Sequence, residues 1–195
     1  MLLDCFHYFA FAKYSTESLK DLDDNFDPGD YAEAAQAHGI EVYEYLHFTR
    51  RQLLGLATAG LYHLWERLLK QFFCKELRGW TFNGSTVQQI VAPADFQRLE
   101  EFLSQFGFPL AQQPYYSELS ELRLVANVVK HGDGKSCEEL QALVPDLFGG
   151  YNYHFDIFSK ADSLELKPSD FIRYAKAATD YWNTFPENLT LADSG

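Results

Sequence analysis

The residues in this chain best suited to chemistry lie in the run Ser117 to Gly132, which reads Ser-Glu-Leu-Ser-Glu-Leu-Arg-Leu-Val-Ala-Asn-Val-Val-Lys-His-Gly. On a helix turning roughly 100° per residue, Arg123, Asn127, Lys130 and His131 fall within a wedge of about 100°. Leu119, Leu122, Val125, Ala126, Val128 and Val129 cover the rest. A guanidinium and an ammonium neutralise phosphate oxygens, an amide orients them, and an imidazole titrating near neutrality moves a proton. His131, Arg123 and Asn127 are therefore the catalytic candidates, and Lys130 and Arg123 the phosphate-binding ones. A solvated stripe closed by a Lys-His pair that favours the helix dipole accounts for the same residues without any chemistry.

Other patterns fail on their spacing. Gly134-Lys-Ser136 precedes a helix, but a phosphate loop also needs a glycine where this chain has Val129, and a preceding strand. Glu44-x-x-His47 resembles half of a carboxylate-bridged di-iron site, which needs a second copy and two further glutamates; none is found, so no metal and no cofactor are expected. His63 and Glu66 have the reverse order and read as a buried polar pair. Of the 32 aromatic residues only Tyr115 and Tyr116 adjoin the wedge, where they could stack on bases.

The 195 residues include 28 Asp+Glu against 16 Lys+Arg, a net charge of −12 that excludes a whole-surface nucleic-acid or anionic-membrane binder. The charge is uneven. Residues 14–48 carry nine acids and one base, whereas residues 50–90 carry six bases and two acids. Three widely spaced cysteines, Cys5, Cys74 and Cys137, point to a reducing compartment rather than a disulfide framework. The N-terminal residues lack a basic signal-peptide region, and the longest apolar run, Leu53 to Leu61, falls well short of the roughly 20 residues that span a bilayer. A cytoplasmic protein that does not span the membrane is expected.

These side chains must be held by helices. Tyr31 to about Leu77 holds no proline and reads as one long helix, or two interrupted near Gly39. Its apolar seam is read as Leu54, Ala57, Leu61, Trp65, Leu68 and Phe72, widened by Leu53, Leu56, Leu64 and Leu69, the breadth of a central helix. Gly79 to Gly84 breaks it. Shorter helices are expected from Ser85 to Val91, from Pro93 to Gln105, and from a Ser117 cap to His131, with Gly132 as a left-handed C-terminal residue. A capping box Ser136-x-x-Glu139 then opens a helix stopping at Pro145, and a last helix runs from Pro168 or Ser169 to Phe185. The fold class is thus all-α, a helical bundle around a long central helix with an aromatic N-terminal arm. One domain is expected over 1–195: arm and short helix 1–30, bundle 31–187, frayed tail 188–195.

The long central helix followed by a helix ending Asn127-x-x-x-His131-Gly132 resembles the HEPN superfamily of small helical proteins. Many members are metal-independent endoribonucleases of toxin-antitoxin or phage-defence systems, and others are non-catalytic modules. The family's motif is Arg, a polar residue, three variable residues and His; Asn127 and His131 match its last two fixed positions. Ala126 stands where the arginine belongs, and Arg123, one turn earlier, or Lys130 would supply the charge. The resemblance, which covers mainly residues 40–140, implies RNA as substrate and a homodimer in which two wedges face one cleft. The alternative is a non-catalytic interaction module whose acidic segment, residues 14–48, docks a basic cognate partner protein.

Overall fold

The computed structural model describes residues 28–149 and 160–186. The aromatic arm, the loop around Tyr151 to His154 and the tail after Asn188 lie outside the described residues. The fold is all-α, with one two-stranded hairpin among the described elements. The chain divides after Arg50 into two compact units, Met1–Arg50 and Arg51–Gly195.

Helix α1 spans Pro28–Glu76 without interruption at Gly39. Within the second unit its core stripe is Thr58, Ala59, Tyr62, Trp65, Leu69 and Phe73, recurring every three or four residues. That stripe is rotated from the expected seam, of which only Trp65 is buried; Leu54, Leu61 and Phe72 are half-buried, and Ala57 and Leu68 face outward. The apolar residues encircle this part of α1, so periodicity alone leaves the helix free to roll, and the bulkiest rings take the core. Trp65 meets Tyr181 edge-on at 5.2 Å, and Phe73 meets Phe102 at 4.9 Å. The buried Thr58 hydroxyl donates to the Leu54 carbonyl at 2.8 Å.

Past α1, Thr81–Phe82 (β1) pairs antiparallel with Ser85–Thr86 (β2) through an Asn83-Gly84 turn in which both residues have positive φ, 50° and 80°. The break expected here is therefore an Asn-Gly hairpin. Helix α2, Val87–Val91, starts after the hairpin rather than at Ser85, because Thr86 and Gln89 form its capping box. Helix α3, Phe96–Gln105, starts three residues after Pro93, at the Asp95 cap, which accepts from the Arg98 amide at 3.0 Å.

A 3-10 turn, Leu110–Gln112, leads to α4, Tyr116–His131. The expected Ser117 cap is not formed: Tyr115 holds the cap position, two residues earlier, and the Ser117 hydroxyl donates to Glu118. Gly132 ends α4 at φ +73° and ψ −139°, a conformation suited to glycine that differs in ψ from a left-handed cap. Helix α5, Lys135–Leu143, follows Gly134. Its expected Ser136–Glu139 capping box is absent because Ser136 already lies inside the first turn. Short 3-10 turns at Pro145–Leu147 and Ala161–Ser163 precede α6, Pro168–Thr184, whose Tyr174, Ala177, Ala178 and Tyr181 are buried.

Candidate functional site

All four wedge residues stand on α4, which α5 and α6 flank. Arg123 is half-buried. Its Cζ lies 5.4 Å from the Phe96 ring centroid and its Nη2 3.9 Å from Glu139 Oε2, while its Nε is buried without a hydrogen-bond partner. One turn on, Asn127 Nδ2 donates to Ser136 Oγ at 3.3 Å, tying the first turn of α5 to α4. Lys130 and His131, in the last turn, are both exposed. The wedge is thus held on one helix face but divided in use: Arg123 and Asn127 meet α3 and α5, while Lys130 and His131 meet solvent.

The backbone around His131 is pinned from the next loop. Asp133 accepts from the amides of Lys160 at 3.2 Å and Ala161 at 2.8 Å. From the other side Arg51 Nη2 donates to the carbonyls of Asp162 at 2.7 Å and Leu164 at 2.9 Å. Helix α5 begins beside Asn127 with no side-chain cap, and Lys135 in its first turn pairs with Glu139 at 3.5 Å. An exposed imidazole beside an exposed ammonium at the end of α4 can exchange protons next to a bound anion.

Tyr115 and Tyr116 do not extend the wedge as free stacking faces. Tyr115 is buried and shares a 2.5 Å hydrogen bond with Thr184; burial pushes its hydroxyl above the ordinary tyrosine range. Tyr116 is half-buried, packs against Phe96, and is raised by burial and then by Glu100. Ala126, which stands where the resemblance would place an arginine, is wholly buried. His63 and Glu66 form a 3.8 Å contact on a helix face where the histidine is exposed, which corrects the expected buried pair; Lys70 completes Glu66 at 3.1 Å. Among the described residues no three His, Cys, Asp or Glu side chains converge on a metal position. Burial, and then Asp133, raises the Cys137 thiol, leaving it a weak nucleophile.

Outside the wedge, α4 also carries a buried carboxylate that is not among the expected site residues. Glu121, 5% exposed, accepts from Arg173 through both oxygens, at 2.8 and 2.5 Å, and from the Tyr174 hydroxyl at 2.6 Å. A signal was available: Glu121 is an acid set between Leu119, Leu122 and Val125 on the apolar side of α4, and a buried carboxylate requires partners.

Comparison of the chain with protein-family models, with curated proteins and with solved structures gives no match.

Proposed function

We propose that this chain is a HEPN-like, metal-independent endoribonuclease of a toxin-antitoxin or phage-defence system, working in the cytoplasm through the C-terminal end of α4. The observation that carries the reading is the exposed, adjacent pair Lys130 and His131 in the last turn of α4. RNA brings its own nucleophile. His131 takes the proton of the 2′-hydroxyl, the 2′-oxygen attacks phosphorus, and the 5′-oxygen leaves with a proton from a second acid, so the products are a 2′,3′-cyclic phosphate and a 5′-hydroxyl. In a homodimer that acid is His131 of the second copy. Lys130 offsets the charge gathering on the phosphorane. Asn127 orients the end of α4 through Ser136, and Arg123, committed to Phe96 and Glu139, contributes through its field and by fixing α4 against its neighbours.

The test is cleavage of single-stranded and transfer RNAs in EDTA. His131→Ala is expected to lower the rate by about a hundredfold or more, the usual contribution of a positioned acid–base group. Arg123→Ala also lowers it. Intact RNA after incubation, or a His131→Ala protein as active as the parent, overturns the enzyme reading. A helical interaction module then takes its place, a reading favoured by the outward leucines of α1.

A further inference from the structure

Helix α1 carries a second apolar stripe that the other described residues leave uncovered. Leu53, Leu56, Leu64 and Leu68 are 62%, 61%, 44% and 40% exposed, and Ala57 and Gly60 between them are exposed as well. At roughly 100° per residue these six positions lie on the side of α1 opposite Tyr62, Trp65 and Leu69, and they extend about 22 Å along the axis. Solvated leucines in such a row are an interaction surface rather than scattered surface apolars.

Two further features say what fits there. The charges on this side of α1 are mainly positive: Arg67 and Lys75 share the stripe's azimuth and Arg78 follows the helix end, while Glu66 is turned away to Lys70 and His63 and Glu76 reaches Lys75 at 3.6 Å as an exposed pair. A basic face in a chain of net charge −12 is a local feature, and it attracts acid. Gly60 is the second feature. A glycine inside a helix costs about 1 kcal/mol relative to alanine, so it needs a reason. Gly55 has one, since a Cβ there would stand 3.4 Å from Val129 Cγ2, whereas a Cβ at Gly60 would meet nothing within 4 Å. The missing side chain at Gly60 serves nothing inside the described molecule; with Ala57 it leaves a notch between Leu53, Leu56 and Leu64 that admits the close approach of another helix.

We propose that this face of α1 docks an amphipathic acidic helix of a partner protein, its apolar side chains seated in the Ala57–Gly60 notch and its carboxylates meeting Arg67 and Lys75. A second copy of this chain fits less well, because a two-fold contact on this face sets Arg67 and Lys75 against like charges, offset in part by the Glu76 carboxylate that Lys75 already meets. A lipid surface gains nothing from a notch and is repelled by the chain's net charge. The proposal is independent of the ribonuclease reading, since the stripe lies opposite the core face of α1.

The probe is a labelled helical peptide of about 15 residues, the length that covers the stripe at about 1.5 Å per residue, with leucines on one face and glutamates on its flanks. The control has lysine at every glutamate. With the full chain, fluorescence anisotropy should show the acidic peptide binding at least about tenfold more tightly than the basic one, with the gap closing as salt rises. Leu53→Glu with Leu64→Glu should weaken binding more than about tenfold while the circular dichroism is unchanged, because both side chains are already solvated. Gly60→Leu should also weaken it, and Arg67→Glu with Lys75→Glu should shift the preference toward the basic peptide. Equal binding of the two peptides, or binding indifferent to Leu53 and Leu64, overturns the proposal. So does a chain dimer in sedimentation that Leu53→Glu dissociates, or binding to phosphatidylglycerol vesicles with no binding to either peptide. RNA cleavage by the Leu53 and Leu64 variant is expected to equal the parent's, which keeps this test separate from that of the enzyme.

Discussion

Glu121 shows what a single buried charge demands. Its carboxylate is removed from water on the apolar side of α4, and a bidentate guanidinium together with the Tyr174 hydroxyl replaces the lost hydration. Removing the carboxylate leaves Tyr174 buried without an acceptor and Arg173 without its counter-charge. Glu121→Ala is expected to destabilise the protein by about 2–3 kcal/mol, the scale of a charged hydrogen bond lost with a polar group left unpaired, measured by urea unfolding. Arg173 retains partial access to water, so Arg173→Ala should also destabilise strongly, and a loss of less than about 0.5 kcal/mol for either would show that the cluster is a surface ion pair in energetic terms. His131 is the opposite case. Exposed and outside the core, it can be replaced by alanine with almost no stability change, so an activity loss in that variant reports on chemistry alone.

At the scale of elements, α1 serves two faces at once. Its core face holds Trp65, 2% exposed and ringed by Tyr62, Phe96 and Tyr181. Trp65→Ala should cost about 3–5 kcal/mol, seen as a lower urea midpoint, since it removes the ring on which α1, α3 and α6 converge. On the outer face Gly60→Ala should raise stability by about 0.5–1 kcal/mol through helix propensity, measured the same way. Gly55→Ala should gain less or lose, because the new Cβ meets Val129 of α4 at the edge of van der Waals contact. A thermal scan in which both glycine variants behave alike would remove the distinction drawn between the two positions.

For the whole molecule, the tyrosines set an alkaline limit. Burial raises the hydroxyls of Tyr62, Tyr174 and Tyr181 above their ordinary value, with Glu66 adding to the rise at Tyr62, Glu121 at Tyr174 and Tyr115 at Tyr181. The folded protein therefore holds these protons at a pH where the unfolded chain, titrating near about 10, has released them. The stability they contribute is complete below that value and is lost as pH rises above it. Urea midpoints should be level from about pH 7 to 9 and fall beyond about pH 10, and Tyr62→Phe should flatten that fall. A midpoint that stays level to about pH 12 would show that these hydroxyls ionise freely.

What depends on neighbours along the chain is legible in the residues themselves: the all-α class, the existence of a long central helix, a last helix opening at Pro168 or Ser169, and the wedge on α4, whose order follows from helical spacing alone. Local competition decided the helix starts: Thr86 and Asp95 cap helices that begin later than the expected Ser85 and Pro93, and Gly134 takes the capping position from Ser136. Which side of α1 is inside depends on packing between helices. Apolar residues surround that helix, so its roll is set by which rings find partners, and Tyr62 and Phe73 join the expected Trp65 and Leu69 in the core while Leu56, Leu64 and Leu68 face outward. The same holds for the division of the wedge. Arg123 and Asn127 are equivalent to Lys130 and His131 in a helical projection, but α5 folds back over the first pair and stops short of the second, and burial is a property of what packs on a helix rather than of the helix itself.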